Sequence, residues 1–156
     1  KPRITIVTIT YNAATELKPT LDSVLMQSYP LVEHLIIDGA SKDDTLTMAN
    51  QYKELSEEQA AAHEVVISSE PDRGIYDAMN KGLDKATGDF ILFLNAGDRL
   101  PQADTLELVA EKAADDVAVI YGDTNIVDAQ GNIVRGRRLS PPKNLTWRSF
   151  RQGMLV

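Results

Sequence analysis

The chain has 156 residues, no cysteine and a formal net charge of −7. This length allows one domain with its own hydrophobic core. The lack of cysteine excludes disulfides and thiolate metal sites, and the negative charge argues against a surface that binds nucleic-acid phosphates. Because the sequence has neither a membrane-spanning apolar run nor a signal-peptide pattern, we expect a cytoplasmic chain, with peripheral attachment to the inner face of the membrane as an open alternative.

Strand and helix signals alternate along the chain, which is typical of an α/β fold with a mainly parallel sheet flanked by crossover helices. The predicted strands cover residues 4–10, 33–38, 65–67, 90–94, 118–121, 125–127 and 133–135. The predicted helices cover 15–28, starting close to Lys18, then a segment after Asp44, then 75–88 and a segment from about 104; residues 57–62 are expected to extend the second helix or to form a short helix of their own. We expect a hairpin turn at 128–131 and an irregular tail over 137–156.

Apolar residues at helical spacing predict which faces of these helices are buried. After Asp44 the predicted face consists of Leu46, Ala49, Tyr52 and Leu55. In the helix from residue 75 it consists of Ile75, Ala78, Met79, Leu83 and Ala86. On the opposite face of that helix lie Asp77, Asn80, Lys81 and Asp84, a pattern for which a solvated surface is the usual explanation.

Three predicted strands end in small, polar or acidic residues. The first leads into Thr10, Tyr11 and Asn12, the second into Asp38, and the buried run 90–94 into a segment from Asn95 to Asp98. Ligands of parallel sheets bind beyond the C-terminal ends of the strands. We therefore expect these residues to form one polar, anionic rim.

Asp98 is the best candidate for a metal ligand in this rim. It follows a buried strand directly, and Gly97 allows a close approach of the backbone. Mg²⁺ and Mn²⁺ take oxygen ligands, often one or two carboxylates completed by phosphate and water, so a divalent cation can join an acidic rim to a diphosphate. An isolated Asp shortly before a proline also suits a turn, and this alternative stays open.

Other residues of the rim suit a nucleotide. The Tyr11 ring can stack on a base whose edge the Asn12 amide reaches, although core packing is the favoured explanation of Tyr11 taken alone. The Asp38 carboxylate can accept from a base imino group or a ribose hydroxyl, or it can belong to an ordinary helix cap. Arg73 can clamp a phosphate; the alternative is an ion pair with Asp72 that is worth little.

Several enzyme classes lose support because their motifs are absent. The first strand is followed by Tyr11 and Asn12 rather than by a glycine-rich phosphate loop, which argues against dinucleotide-binding Rossmann domains and P-loop NTPases. The chain has no cysteine nucleophile and no serine in a nucleophile elbow. A receiver or phosphatase domain would need an acid where Asn12 stands. His34 and His63 have no partner at a ligand spacing and receive no role.

Three segments together resemble a known family. They are TIVTITYN at 5–12, LIIDGASKDDT at 35–45 and SEPDRGIYDAMNKGLDKATGDFILFLNAGD at 69–98. In order and spacing they are similar to the N-terminal, nucleotide-sugar-binding half of family 2 glycosyltransferases with the GT-A fold. The resemblance covers roughly residues 3–128, is most specific over 70–98, and within the family points to bacterial enzymes that build exopolysaccharide, colanic acid among them.

The resemblance implies an inverting transfer of a sugar from a nucleoside-diphosphate donor, with a UDP-sugar favoured, to a saccharide or lipid-linked acceptor. It implies Mn²⁺ or Mg²⁺ as cofactor and a role in the synthesis of cell-surface polysaccharide. Carried over to this sequence, the donor-site residues implied are Thr10, Tyr11, Asn12, Asp38, Arg73, Asp77, Asn80, Asn95 and Asp98. Of these, Thr10 and Tyr11 would line the base pocket and Asp98 would bind the metal.

The sequence departs from the family pattern in three places. Gly39 stands where many relatives have a second acid, and the acidic signature keeps a single carboxylate, Asp98. The general base of the family lies further downstream, so no catalytic residue is assigned, and we expect one nucleotide-sugar-binding domain over 1–156 that is cut before the acceptor-binding half. Two alternatives remain: a non-catalytic nucleotide-sugar-binding module and a sugar nucleotidyltransferase.

Overall fold

The computed structural model describes residues 1–59, 63–128 and 130–137. Its strands are β1 (Ile4–Thr10), β2 (Val32–Asp38), β3 (Glu64–Ser69), β4 (Phe90–Phe93), β5 (Thr124–Val127) and β6 (Ile133–Arg137). Its helices are α1 (Leu17–Leu25), α2 (Thr45–Glu57), α3 (Ile75–Lys85) and α4 (Thr105–Lys112). The predicted alternation of strands and helices is confirmed. The chain forms two compact units, Lys1–Ala114 and a second one from Asp115; a single domain over the whole chain stays a prediction.

Strands β1 to β4 form a parallel sheet in the order β3-β2-β1-β4. The last residues of β1 and β2, Thr10 and Asp38, are register partners, and Val7 of β1 pairs with Phe93 of β4. Because all pairs are parallel, the C-terminal ends lie at one edge of the sheet. The connections run to opposite sides of β1, which makes the β1–β4 boundary the switch point where ligands of such sheets bind.

Helices cover both faces of the central strands, as a parallel sheet requires. All seven residues of β2 are buried. The larger core cluster joins the sheet to α1, α2 and α4 through Leu17, Leu21, Ala49, Tyr52 and Leu106. On the other face, Val7, Leu35 and Ile37 pack against Ala78 of α3.

The buried face of α3 differs from the prediction. Ala78 is fully buried, but Ile75 and Leu83 are 50% and 45% exposed. A Cβ on Gly82, one turn after Ala78, would lie 2.5 Å from Val7 Cγ1. The helix therefore approaches the sheet along its small residues, and this close packing directs the larger apolar side chains away from the core.

Two smaller expectations about burial are also wrong. In α2, Ala49 and Tyr52 are buried as predicted, but Leu55 is 49% exposed. Residues 90–94 were expected to form a buried strand, yet only Leu94 is buried and Ile91 is 40% exposed. The reason is position, because β4 is the last strand in the order of the sheet.

Strands β5 and β6 of the second unit form an antiparallel hairpin. The N–H of Asp128 donates to Asn132 O at 3.0 Å and that of Gly131 to Asp128 O at 2.9 Å, so the predicted turn is confirmed. The strand predicted over 118–121 is wrong, since these residues are irregular and Val119 is half exposed. β-branched residues favour a strand only where a neighbouring strand pairs with them.

Two predicted segments lie partly or wholly outside the described residues. Helix α2 ends at Glu57, so its predicted extension does not form as far as residue 59, and 60–62 are not described. Nearly all of the tail predicted to be irregular, 138–156, is likewise not described. Among the described helices, none combines the length and apolar character needed to cross a bilayer.

Candidate functional site

An open cleft of about 380 Å³ lies at the C-terminal edge of the parallel sheet. It is lined by Ile9, Tyr11, Ala13, Glu16, Asp72, Gly74, Ile75, Asn95 and Ala96. These residues come from the ends of β1 and β4 and from the loop before α3. The cleft therefore lies at the switch point of the sheet, where the strand ends predicted a polar rim.

The loops that follow β1 and β2 are joined by hydrogen bonds. The N–H of Asn12 donates to Ser41 Oγ at 2.8 Å, and Asn12 Oδ1 accepts from the N–H of Lys42 at 2.8 Å. Two further bonds run from Ala13 N to Thr45 Oγ1 and from Ala14 N to Asp43 Oδ2. Asn12 has a φ of 48°, in the left-handed region. The Asn12 carbonyl oxygen thus fixes the loops to each other; a contact of this amide with a base edge stays a prediction.

Asp38, at the end of β2, is only 1% exposed. Its Oδ1 accepts from the hydroxyls of Thr10 at 3.0 Å and Ser41 at 2.5 Å, and its Oδ2 accepts from Ser41 N at 2.9 Å and Ser69 Oγ at 2.7 Å. Burial by itself would raise the pKa of this carboxyl, but the hydrogen bonds from Ser41, Ser69 and Thr10 outweigh burial and hold the pKa below its ordinary value.

Four hydrogen bonds occupy the acceptor positions of a carboxylate, about two on each oxygen. Asp38 therefore organises the loop after β2 from inside the protein. Thr10 is equally buried, at 1% exposure, and its hydroxyl supports Asp38. That Asp38 and Thr10 also contact a nucleotide stays a prediction.

Tyr11 differs sharply from these neighbours because it is 66% exposed. The alternative that Tyr11 is a core residue is therefore wrong. Its ring lies on the cleft, where a flat ligand can stack on it.

The loop at 70–74 positions Asp72 and Arg73. Lys81 Nζ donates to Pro71 O at 2.8 Å, and Gly74, with a φ of 113°, donates its N–H to Asp72 Oδ1 at 2.8 Å. The N–H of Arg73 donates to Asp77 Oδ2 at 3.1 Å. Both ends of the loop are thus attached to α3, which places the Asp72 side chain on the cleft.

Asp77 acts mainly as an anchor at the start of α3. The N–H of Arg73 and the nearby charges of Lys81 and Arg73 hold the pKa of the Asp77 carboxyl below its ordinary value. The Arg73 side chain is exposed, and within residues 1–59, 63–128 and 130–137 no ion pair joins it to Asp72. Asn80 is exposed further along α3. Donor contacts of Arg73, Asp77 and Asn80 stay predictions.

A side chain of α1, that of Thr20, holds the turn at 95–98 in place. Thr20 Oγ1 accepts from the N–H of Gly97 at 2.9 Å and donates to Asp98 O at 2.7 Å. The N–H of Asp98 donates to Asn95 O at 3.0 Å, and Gly97 has a φ of 97° that a glycine adopts without strain. Thr20 and the Asp98–Asn95 bond therefore hold the backbone of this turn in place.

The side chains of the same turn are not bonded in this way. Asp98 is exposed, and its carboxylate has no hydrogen-bond or ion-pair partner in the described part of the chain. Asn95 Oδ1 is buried and has no partner there either. A buried oxygen without a donor is costly and calls for an explanation by an ion, water or ligand.

The chemistry of these oxygens suits a divalent cation. Mg²⁺ and Mn²⁺ prefer carboxylate and carbonyl oxygens, and they complete their shells with phosphate and water. Among the described residues there is no group of three or more His, Cys, Asp or Glu able to enclose a metal. A cation at Asn95 and Asp98 would therefore depend on oxygens from a ligand.

Three residues of the site were missed from the sequence. Asp72 was considered only as a partner of Arg73, whereas its side chain lies on the cleft together with Glu16. Thr20, which holds the 95–98 turn, lies in the middle of α1. A turn residue before a helix and a polar residue within a helix carry no local signal for such roles.

Comparisons with known proteins identify the family of this chain. Residues 5–155 match the family described as Glycosyl transferase family 2. A PGL/p-HBAD biosynthesis glycosyltransferase of Mycobacterium tuberculosis is 40% identical over 126 residues, which are 78% of this chain and 46% of that protein. TuaG of Bacillus subtilis, named for teichuronic acid biosynthesis, is 35% identical over 99 residues, 64% of this chain and 37% of TuaG.

Solved structures show the same fold. The mannosyltransferase PcManGT from Pyrobaculum calidifontis, solved with GDP-Man and Mn²⁺, has a TM-score of 0.66 and 29% identity over 74% of this chain and 33% of that chain. S. aureus TarS, residues 1–349, solved with UDP-GlcNAc, has a TM-score of 0.62 and 24% identity over 70% of this chain and 30% of TarS. The chain spans less than half the length of the relatives named here. It belongs to glycosyl transferase family 2, with the GT-A fold.

Proposed function

We propose that this chain binds a nucleoside-diphosphate sugar through a divalent cation and is the donor-binding part of an inverting glycosyltransferase of cell-surface polysaccharide synthesis. The observation that carries the proposal is the turn after β4. It presents the unpartnered Asp98 carboxylate and the buried, unpartnered Asn95 Oδ1 beside a cleft that also holds the exposed ring of Tyr11.

Charge supports the need for a cation. The cleft is lined by the carboxylates of Glu16 and Asp72, and Asp98 lies in the adjoining turn. A diphosphate beside these groups would be repelled unless a cation neutralised the site. Arg73, exposed at the start of α3, is a candidate for a second contact with phosphate oxygens.

The relatives support the choice of donor and product. PcManGT, at 29% identity, was solved with GDP-Man and Mn²⁺, and the names of the mycobacterial relative and of TuaG refer to glycan biosynthesis. A nucleoside-diphosphate sugar and a saccharide or lipid-linked acceptor are therefore the substrates that we propose; the preference for a UDP-sugar rests on the sequence resemblance alone.

Each part of the site has a distinct task in this proposal. When bound, Mn²⁺ or Mg²⁺ would neutralise charge on the departing nucleoside diphosphate. Asn95 and Asp98 hold the cation, Tyr11 stacks on the base, and Thr20 keeps the 95–98 turn in place. An inverting displacement also needs a base for the acceptor hydroxyl, and we assign none of the described residues to that role.

The lack of an assigned base leaves a donor-binding module as the second candidate. A sugar nucleotidyltransferase is less well supported, because the loop from Tyr11 to Glu16 contains no glycine. The two main candidates differ in turnover. A longer chain that includes the downstream half should release nucleoside diphosphate from a donor sugar, whereas a pure binding module should release none.

Calorimetric titration of UDP and GDP with and without Mn²⁺ tests the binding site directly. We expect Mn²⁺ to strengthen binding by at least about tenfold, and Asp98→Ala to remove that gain, since a carboxylate is the main cation ligand. Asp84→Ala is a matched control because it removes an exposed carboxylate from α3. A metal effect that survives in Asp98→Ala would contradict the assignment.

A further inference from the structure

A second carboxylate in the cleft lies against a bare backbone position. Gly39 directly follows Asp38 at the end of β2, and a Cβ built on it would lie 2.6 Å from Asp72 Oδ2 and 3.3 Å from Tyr11 Cδ2. The Asp72 carboxylate and the edge of the Tyr11 ring thus meet above the Cα of Gly39. Any side chain at position 39 would overlap the Asp72 carboxylate and displace it.

The two carboxylates near the Tyr11 ring differ in what they can still accept. Asp38 is buried, and four hydrogen bonds from Thr10, Ser41 and Ser69 occupy its oxygens. Asp72 uses Oδ1 to accept from Gly74 N at 2.8 Å, and across the described ranges its Oδ2 has no hydrogen-bond partner. The free acceptor next to the exposed ring is therefore Asp72 Oδ2.

Asp72 is also well positioned before any ligand arrives. Gly74 N fixes one of its oxygens, and Lys81 Nζ holds the preceding carbonyl of Pro71 at 2.8 Å. Asp72 Oδ2 and Tyr11 Cδ2 both lie close to the position of a Cβ on Gly39, so a base stacked on the Tyr11 ring would bring its edge near this carboxylate. A fixed acceptor at that edge distinguishes bases that donate an N–H from bases that do not.

We propose that Asp72 Oδ2, admitted to this position by Gly39, selects the nucleobase by accepting the ring imino N–H of uracil or guanine. Cytosine and adenine carry an unprotonated ring nitrogen at the corresponding place, which would face the carboxylate as a second acceptor. The inference rests on the proposed function, because it assumes that a nucleoside diphosphate occupies the cleft. It adds the residue that reads the base and assigns Asp38 to the support of the loop.

The Asp72→Asn variant reverses the chemistry at this position. Gly74 N–H continues to select an oxygen acceptor, so the amide NH₂ replaces Oδ2 and a donor replaces the free acceptor. We expect the native chain with Mn²⁺ to prefer UDP over CDP, or GDP over ADP, by at least about tenfold, and Asp72→Asn to lower that ratio by about tenfold or more. The UDP and GDP arms show which of the two bases fits, and affinity for Mn²⁺-pyrophosphate should not change.

A second variant tests the same idea without altering Asp72. In Gly39→Ala the new Cβ would overlap Asp72 Oδ2 and force the carboxylate away, so base preference should fall as in Asp72→Asn. Asp84→Asn, an exposed isosteric control on α3, should keep the native ratio. If Asp72→Asn does not fold, the ratio measured with Gly39→Ala decides.

The outcomes separate the two proposals. If Asp72 only stabilises its loop, Asp72→Asn will weaken all nucleotides equally and leave the ratio unchanged, which overturns the inference but not the proposed function. A shift of the ratio in Asp38→Asn, with none in Asp72→Asn, also overturns it. If the native chain binds no nucleoside diphosphate with Mn²⁺, the proposed function fails and the inference fails with it.

Discussion

The two ends of strand β2 each carry a buried carboxylate, and their surroundings differ in an instructive way. Near the N-terminal end, Glu33 is 2% exposed and accepts from Thr5 Oγ1 at 2.5 Å and from Thr87 N and Oγ1 at 2.9 and 2.8 Å. Arg3 lies 3.5 Å from the same carboxylate. At the C-terminal end, Asp38 is bonded just as completely, by Thr10, Ser41 and Ser69.

Glu33 and Asp38 are thus alike, and the two edges of the sheet differ in whether the acidic residues next to them are paired. At the N-terminal edge, Glu64 pairs with Arg3 at 2.6 Å and Asp89 Oδ2 accepts from Arg3 N at 2.7 Å. At the C-terminal edge, Asp72 Oδ2 on the cleft and the Asp98 carboxylate in the turn after β4 have no partner in the described structure. The acids are thus paired at one edge of the sheet, whereas at the other edge acids on hydrogen-bonded loops keep free oxygens, as the proposed cation site requires.

The largest expected effect comes from removing the Glu33 carboxylate at the N-terminal edge of the sheet, where the acids are paired. Glu33→Ala leaves the donors of Thr5, Thr87 and Arg3 without their acceptor in a buried place, so the free energy of unfolding should fall by about 2–4 kcal/mol. Urea unfolding measures this change. Glu64→Ala, whose side chain is 59% exposed, is the control and should cost less than about 1 kcal/mol. Equal losses in both variants would show that burial of Glu33 does not distinguish this edge.

A slightly smaller effect is expected from the middle of β2, where a titratable group is fully enclosed. His34 lies between Thr8 Oγ1 at 2.8 Å and the Tyr52 hydroxyl at 2.7 Å, and burial lowers its pKa from 6.5 to about 3. Below pH 6.5 the His34 imidazole of the unfolded chain binds a proton, whereas that of the folded chain stays neutral down to about pH 3. The contribution of His34 to the free energy of unfolding is therefore fully present above pH 6.5. It is lost as the pH falls below this value, by up to about 1.4 kcal/mol for each pH unit.

Urea unfolding between pH 7 and pH 5.5 checks this dependence in a range where most carboxylates stay ionised. His63 contributes in the same direction, because burial lowers its pKa as well. His34→Gln should consequently remove part of the slope and leave the share of His63. An unchanged slope in His34→Gln would mean that the folded protein accommodates a proton on His34.

The smallest effect on stability is expected at the C-terminal edge of the sheet, from a change at Thr20. This change should also weaken nucleotide binding. Thr20→Val removes the hydroxyl that accepts from Gly97 N and donates to Asp98 O, at a cost of about 1 kcal/mol. Asn95 and Asp98 then lose their fixed geometry. The free energy of Mn²⁺-dependent nucleotide binding should therefore fall by more than the free energy of unfolding does. Thr20→Ser, which keeps the hydroxyl, should restore binding. If Thr20→Ser binds as weakly as Thr20→Val, the hydroxyl is not what positions the turn.

Local patterns in the sequence were enough to predict the framework of this protein. Alternating strand and helix signals predicted the parallel sheet, and the polar ends of β1, β2 and β4 predicted the edge that carries the cleft. Local patterns predicted burial wrongly where packing between segments that are distant in the sequence determines which side chains are buried. Ile75 and Leu83 are exposed because Ala78 and Gly82 let α3 approach Val7 closely.

The chemistry of the site was predicted less completely for the same reason. Asp98 and Tyr11 follow strands directly, so their position was visible from neighbouring residues. The position of Asp72 depends on a loop that lies above Gly39, 33 residues earlier in the chain. That Asp38 has no free acceptor depends on donors from Thr10 and Ser69 on either side of it. Neither feature is encoded in a local spacing.

The central claim is that Asp98 binds a cation that in turn binds a diphosphate. A crystal structure with Mn²⁺ and either UDP or GDP tests it most directly, because the anomalous signal locates the metal independently of the nucleotide. We expect a manganese peak within about 2.5 Å of the Asp98 carboxylate and bonded to diphosphate oxygens, with the base against Tyr11. A nucleotide bound elsewhere, or bound in the cleft with no metal at Asp98, would contradict it.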